Sequence, residues 1–384
     1  MANCSVKDIC GGCKYIGRPY EYQLGLKEKH VSKLLNGLCE VSNIVACDAP
    51  YYYRNKVHSA FKRGRGGKII HGTYAAGSHR IVEHNKCMIE NKKAQEIINT
   101  IGTIAARHKM SIYDERVGKG LLRRVLVRVS EATGQIMVVL VIGSRYFTGK
   151  NAFINELLTA HPEITTIVSN INERHDSMIL GSISKTEYGK GYIEDVILGK
   201  TFRISPDSFF QVNTKQAEVL YATALELAGL SPKDKVLDCY CGTGTITICA
   251  AQLCKTAVGV EVNPVAVIDA ATNAKKNGIK NVKFITADAT PFMEDLKFVG
   301  DERYDVVIMD PPRAGSTVKF IRALAGIEPS RVIYVSCNPE TLARDLKCFI
   351  DEGYKPVKAV PVDMFPWTDD VECVVRLEPV SKAR

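Results

Sequence analysis

The chain has 384 residues, 46% apolar and 24% charged, too long for one ordinary domain and too apolar for a disordered or fibrous one. Its longest apolar run, around Ile136–Ile142, falls far short of the roughly 20 residues that span a bilayer. The start, MANCSVKDIC, has no apolar signal core, so a cytoplasmic protein with no membrane partner is expected. Two counts stand out, a net charge of +9 and 13 cysteines.

The charge is unevenly placed. Residues 1–205 carry 30 Lys and Arg against 18 Asp and Glu, and residues 206–384 carry 21 against 24. Residues 51–150 are the densest stretch, with 19 basic and 6 acidic side chains. A one-sided cationic field is what a phosphate backbone selects, because each neutralised phosphate releases counterions. The plainer alternative is a solvated face that keeps the chain soluble.

At the N-terminus, Cys4, Cys10 and Cys13 form C-x5-C-x2-C, and Cys87 supplies a fourth thiol. Four thiolates suit a [4Fe–4S] cluster or structural zinc, and spacing alone does not separate them. A helix is expected at 20–35. Strand-like runs follow at 57–62, 68–74, 122–129, 135–142, 164–172 and 177–183, with helices near 88–108 and 149–160, giving a β-rich module. Within it, Phe61–Lys68 mixes cations with glycines, and the alternation of Leu122–Arg128 places Arg124 and Arg128 on one face.

From Ser205 onward the pattern becomes α/β. An amphipathic helix at Thr214–Ala228 is capped at Asn213 or Thr214 and stopped by Gly229. Short apolar strands then alternate with helical stretches: 235–238, 257–260, 282–285, 306–309 and 331–335, with an antiparallel pair at 357–362 and 372–377. This predicts a doubly wound sheet with ligands at the strands' carboxyl ends. Asp238-Cys-Tyr240-Cys-Gly242-Thr-Gly244 is a strand entering a Gly-rich turn. Glu261 closes the next strand, where a nucleoside ribose places its hydroxyls, and Asp288 the third, where an acid could meet an adenine amino group. The third glycine of a dinucleotide fingerprint is missing, so S-adenosylmethionine, which has no pyrophosphate, fits better. Cys337, in Ser336-Cys337-Asn338-Pro339, is either a nucleophile or a buried thiol. Glu372 is a candidate base. Cys239, Cys249, Cys254, Cys348 and Cys373 read as core residues, and Cys39 and Cys47 carry no assignment.

Phe210-Gln211-Val212-Asn213, Asp238-x-Tyr-Cys-Gly-x-Gly, Asp310-Pro-Pro-Arg313, Ser336-Cys337-Asn338-Pro339 and Val371-Glu372, in this order, resemble the RNA uracil-5-methyltransferase family over nearly the whole chain. The resemblance implies a Rossmann-like S-adenosylmethionine-dependent methyltransferase domain with a β-rich central RNA-binding domain bearing an iron–sulfur cluster. It divides the chain into a cysteine segment at 1–22, a helix packed on the methyltransferase domain at 23–54, the central domain at 55–205 and the methyltransferase domain at 206–384. Cys337 would be the nucleophile and Glu372 the base. Gln211, Tyr240, Glu261 and Asp310 would line the cofactor site, with Asp310 also near the uracil.

The ribosomal-RNA branch of the family carries a [4Fe–4S] cluster with this cysteine spacing, which implies Cys4, Cys10, Cys13 and Cys87 as ligands and ribosomal RNA as the partner; a monomer is expected. An oligonucleotide-binding barrel often precedes these cysteines. With Cys4 almost at the first residue, it is expected to be missing and RNA affinity to rest on 51–150. One departure concerns Asp370, where members commonly carry His. Asp369 and Asp370 are expected to raise the Glu372 pKa by like-charge repulsion. The rival readings are the same chemistry on the tRNA T-loop, an RNA N-methyltransferase that would not need Cys337, and a non-catalytic iron–sulfur RNA-binding factor.

Overall fold

The computed structural model describes residues 4–84, 86–174, 176, 178–299 and 303–380. The chain divides into two compact units, one of residues 1–17, 49–195 and 203–207, the other of residues 18–48, 196–202 and 208–384. Among the described residues, no helix is long and apolar enough to cross a membrane.

The first unit holds 25 Lys and Arg against 15 Asp and Glu. Its seven-stranded sheet runs, in spatial order, Ile81–Glu83, Ile69–Tyr74, Lys56–Arg63, Leu122–Val129, Ile136–Ile142, Thr166–Ile171 and Ile183–Tyr188. Only the pairing of Ile136–Ile142 with Thr166–Ile171 is parallel. The helices Lys92–Arg107 and Lys150–Ala160 cover this sheet, with Ile97, Ile101, Phe153 and Leu157 packed on Val125, Val138 and Leu140. Every residue of Ile136–Ile142 is buried, which explains its continuous apolar run.

Three expectations for this unit change. The last strand begins at Ile183, not Ser177; Ser177 itself lies outside the described residues, and 178–182 form no strand. The helix expected from 88 starts at Lys92, because Asn91 caps it by accepting from the Ala94 amide at 3.2 Å. Arg128 does not share an open face with Arg124. It is 2% exposed, and burial lowers its pKa to about 10 against the opposing Asp195.

The second unit carries an eight-stranded sheet, labelled in chain order β1 (Glu40–Val41), β2 (Lys235–Cys239), β3 (Thr256–Glu261), β4 (Val282–Thr286), β5 (Val306–Met309), β6 (Arg331–Ser336), β7 (Tyr354–Val362) and β8 (Glu372–Pro379). The spatial order is β1-β7-β8-β6-β5-β2-β3-β4. All pairings are parallel except those of β8, which runs against both β6 and β7. Strand order reverses between β2 and β5, where a doubly wound sheet opens its ligand crevice. Leu237, Val307, Tyr334 and Val375 are among the strand residues of its core.

The segment 18–48 belongs to this unit although most of the other unit follows it in sequence. Its helix, Tyr20–Leu34, docks through polar contacts. Lys27 Nζ meets Asp363 Oδ1 at 2.6 Å with both side chains buried, and Tyr20 Oη donates to Asp363 Oδ2 at 2.6 Å. Gln23 Oε1 accepts from the Trp367 amide at 2.6 Å. Cys39, Cys348 and Cys337 are half-buried, whereas Cys47, Cys239, Cys249, Cys254 and Cys373 are buried, so Cys348 lines the core edge rather than its interior.

Candidate active site and a cysteine-lined cavity

Parallel strands deliver their carboxyl ends to one edge of the sheet. β2 brings Asp238 and Tyr240 there, β3 Glu261, β4 Asp288, β5 Asp310 and β6 Cys337. Because β8 runs the opposite way, its first residue falls at the same edge. Glu372 pairs with Val362, and Cys373 with Ser336. The topology therefore sets Glu372 beside the residue that follows Ser336.

On the β2 side the chain turns sharply, with φ of 67° at Tyr240 and 79° at Gly244. A non-glycine residue at positive φ is uncommon and costs energy that functional sites tolerate. A Cβ on Gly244 would come within 2.9 Å of Ala270 and Phe284, so only glycine lets this turn pack there. Beside it, the Gly242 amide donates to Glu261 Oε2 at 3.1 Å, and the Asn263 amide donates to Oε1 at 2.8 Å. Asp288 is exposed and accepts from the Thr290 amide at 2.9 Å. Asp238 is fully buried; Thr247 donates to its Oδ2 at 2.5 Å, and among the described residues its Oδ1 is without a partner. Burial pushes the Asp238 and Asp310 carboxyls up to about 7. Gln211, 8% exposed, hydrogen-bonds the Tyr221 phenol.

These features fit S-adenosylmethionine. A Cβ added at Gly242 would meet nothing within 4 Å, which leaves a cradle at the turn. The acids along the edge offer acceptors to ribose hydroxyls and an amino group, and their charge suits a sulfonium.

Glu372 is 3% exposed. Burial, then the nearby Asp310, then Asp370, push its carboxyl up to about 8, while Arg313 opposes them. Cys337 is pushed up to about 11 by burial, then by Glu372 and Asp310, with Arg313 again opposing through charge and a hydrogen bond. Arg313 also forms an ion pair with Asp370. The like-charge effect expected from Asp369 and Asp370 is thus the lesser part of the Glu372 shift. Burial and Asp310 precede it, and Asp370 is itself neutralised by Arg313.

The Asp-Pro-Pro-Arg motif gives Arg313 no role of its own, yet its guanidinium hydrogen-bonds Cys337 and pairs with Asp370. Asn338 has no role in the sequence either. Its Oδ1 caps the helix Pro339–Asp351 by accepting from the Glu340 amide at 3.0 Å, and its Nδ2 donates to the Arg313 carbonyl at 3.2 Å. The Asp-Pro-Pro-Arg and Cys-Asn-Pro spacings were the available signals. Tyr221, inside an amphipathic helix, reads as core and gives none.

In the first unit, Cys4, Cys10, Cys13 and Cys87 all line one cavity of about 220 Å³. Gln95 holds the Cys87 loop, accepting from the Cys87 amide at 2.7 Å and donating to its carbonyl at 2.8 Å. Burial, then Cys10 and Cys4, push Cys13 up to about 11; burial, then Glu90, push Cys87 up to about 12. Thiols that raise one another in this way become thiolates once a metal neutralises them.

The doubly wound sheet with an acid-rich carboxyl edge defines a class, the Rossmann-like S-adenosylmethionine-dependent methyltransferases. Residues 183–380 match the family model of tRNA (uracil-5-)-methyltransferase. An uncharacterized RNA methyltransferase of Halalkalibacterium halodurans is 38% identical over 98% of this chain and 83% of its own length. Another, of Caldanaerobacter subterraneus subsp. tengcongensis, is 40% identical over 98% and 83%. The solved structure of Pyrococcus abyssi tRNA (uracil-54, C5)-methyltransferase in complex with S-adenosyl-L-homocysteine matches with a TM-score of 0.79 and 28% identity, covering 95% of this chain and 85% of that one. The chain belongs to the RNA uracil-5-methyltransferase family. It is an S-adenosylmethionine-dependent RNA methyltransferase.

Proposed function

We propose that this enzyme methylates C5 of a uridine in large-subunit ribosomal RNA, as a monomer, through a covalent bond between Cys337 and uracil C6. The observation that carries the reading is the convergence of Cys337, Glu372 and Arg313 at the acid-lined edge. Gln211, Tyr240, Glu261, Asp288 and Asp310 line the cofactor side.

Uracil C5 is too weak a nucleophile to react unaided. Addition of the Cys337 thiolate forms an S–C6 bond and moves the C5=C6 electrons onto the C4 oxygen as an enolate, which activates C5. When bound, S-adenosylmethionine supplies an electrophilic methyl group to C5. Glu372 then takes the C5 proton; the enolate re-forms and expels Cys337 as thiolate, restoring C5=C6. Arg313 favours the thiolate over the thiol. A carboxyl near 8 matches a base that works close to neutral pH. The target base must leave its stack to reach the edge.

The preference for ribosomal RNA rests on the four cysteines, read as ligands of a [4Fe–4S] cluster that ties residues 4–13 to Cys87. All four thiols line one cavity, which a four-thiolate cluster would fill. A second reading, a tRNA uridine, is favoured by the likeness to the Pyrococcus abyssi enzyme.

The test incubates the enzyme with 5-fluorouridine-containing ribosomal RNA fragments or tRNA in the presence of S-adenosylmethionine. Fluorine cannot leave C5 as a proton, so a covalent complex accumulates with the true substrate and is lost in Cys337→Ala. Absence of any adduct, or one that survives Cys337→Ala, removes the mechanism; an adduct with tRNA alone selects the second reading.

A further inference from the structure

Consecutive residues of a strand point to opposite faces, yet Arg123 and Arg124 line the same cavity in the basic unit. The reason is a slip in register. Leu122 pairs with Ile142 but Arg124 with Val141, a bulge that re-aims a side chain. The cavity measures about 500 Å³, within the range that holds small ligands.

Its walls alternate rings and guanidinium groups. Arg124 lies 4.8 Å from the centre of the Tyr74 ring, and Arg123 lies 4.2 Å from that of Tyr113. Tyr113 is fixed in place, since a Cβ on Gly143 would come within 2.4 Å of its ring. The two acids of the cavity are already engaged. Asp114 is paired with Arg116 at 2.6 Å, and Glu115 with His79 at 3.0 Å and the Tyr74 hydroxyl at 3.1 Å. Lys62 and Arg63, both exposed, add positive charge to the lining. The remaining field is cationic and the surfaces are flat.

We propose that this cavity is an RNA-binding subsite that receives one unpaired nucleotide of the substrate. The base stacks on the half-buried Tyr74–Arg124 layer, the buried Tyr113–Arg123 pair backs the cavity, and the flanking phosphates meet Lys62 and Arg63. Every nucleobase has a π face that aromatic and guanidinium planes accept, and in a duplex those faces are hidden. A bare polyanion would use the charge but not the rings. The proposal rests on the reading that the substrate is RNA.

The experiment uses the full chain and measures fluorescence anisotropy of a labelled, unstructured RNA oligonucleotide, the same strand in a perfect duplex, and polyphosphate. The wild type binds the single strand more tightly than the duplex. Tyr74→Ala weakens single-strand binding by roughly 5- to 150-fold, the effect of losing one stacked base, and leaves polyphosphate binding unchanged. Tyr74→Phe, which keeps the ring, binds as the wild type does. The subsite is overturned if Tyr74→Ala binds the single strand normally, if duplex binds equally well, or if polyglutamate displaces RNA as effectively as unlabelled RNA does. The 5-fluorouridine adduct separates the two claims. An adduct together with a silent Tyr74→Ala removes the subsite and leaves the methylation; a Tyr74 effect without any adduct removes the uracil chemistry and leaves the subsite.

Discussion

Glu372 shows how one buried carboxyl ties chemistry to stability. With Asp238 and Asp310 near 7 and Glu372 near 8, the folded chain keeps protons that the unfolded chain releases near pH 4. The sign follows: the stability these protons contribute is fully present below about pH 4 and is lost as pH rises toward 8. Urea melts of Glu372→Gln are expected to show less of this decline than the wild type, by at least about 1 kcal/mol between those limits. In the proposed catalysis the direction reverses, because the base must be unprotonated, so kcat/KM rises as pH passes through about 8, and the thiol near 11 keeps it rising beyond. Asp370→Asn removes one like charge and frees Arg313, so the acid limb moves to lower pH. An acid limb unchanged in Asp370→Asn and Asp370→His would show that Asp370 has no hold on the base. Because Cys337, Asp310 and Glu372 interact, the limb belongs to the set rather than to one residue.

At the scale of elements, the helix Tyr20–Leu34 fixes the loop that leads into β8. Lys27, Gln23 and Tyr20 each hold a group between Asp363 and Trp367, and Trp367 itself sits at φ 73°. Removing one partner of a buried ion pair strands the other charge. Lys27→Met is therefore expected to cost about 3–5 kcal/mol, read as a lower urea midpoint. Lys27→Met with Asp363→Leu should recover part of that loss, since no charge remains unpaired. A double variant no more stable than the single one would mean that packing, not charge, sets the cost. A helix at 20–35 was legible in the sequence. Its partners were not, because Lys27 and Asp363 are 336 positions apart and neither lies in a motif.

At the scale of the whole molecule, charge divides by unit: 25 basic against 15 acidic side chains in one, 26 against 27 in the other. The cysteines divide as well. Four line the cavity of the basic unit, and Cys337 stands at the catalytic edge. Anaerobically purified protein is expected to contain iron and acid-labile sulfide, and Cys13→Ser to lose both. Exhaustive chelation should lower the melting temperature of the basic unit while S-adenosylmethionine binding persists. Zinc in place of iron, or no metal at all, would refute the cluster. The ordering of motifs, the strand and helix alternation after Ser205 and the concentration of charge before it were fixed by local patterns, which a sequence displays directly. What only the tertiary structure decided depends on contacts across long separations. The antiparallel course of β8 brings Glu372 to Cys337, Arg313 bridges thiol and acid, and a one-residue bulge turns two neighbouring arginines into one pocket.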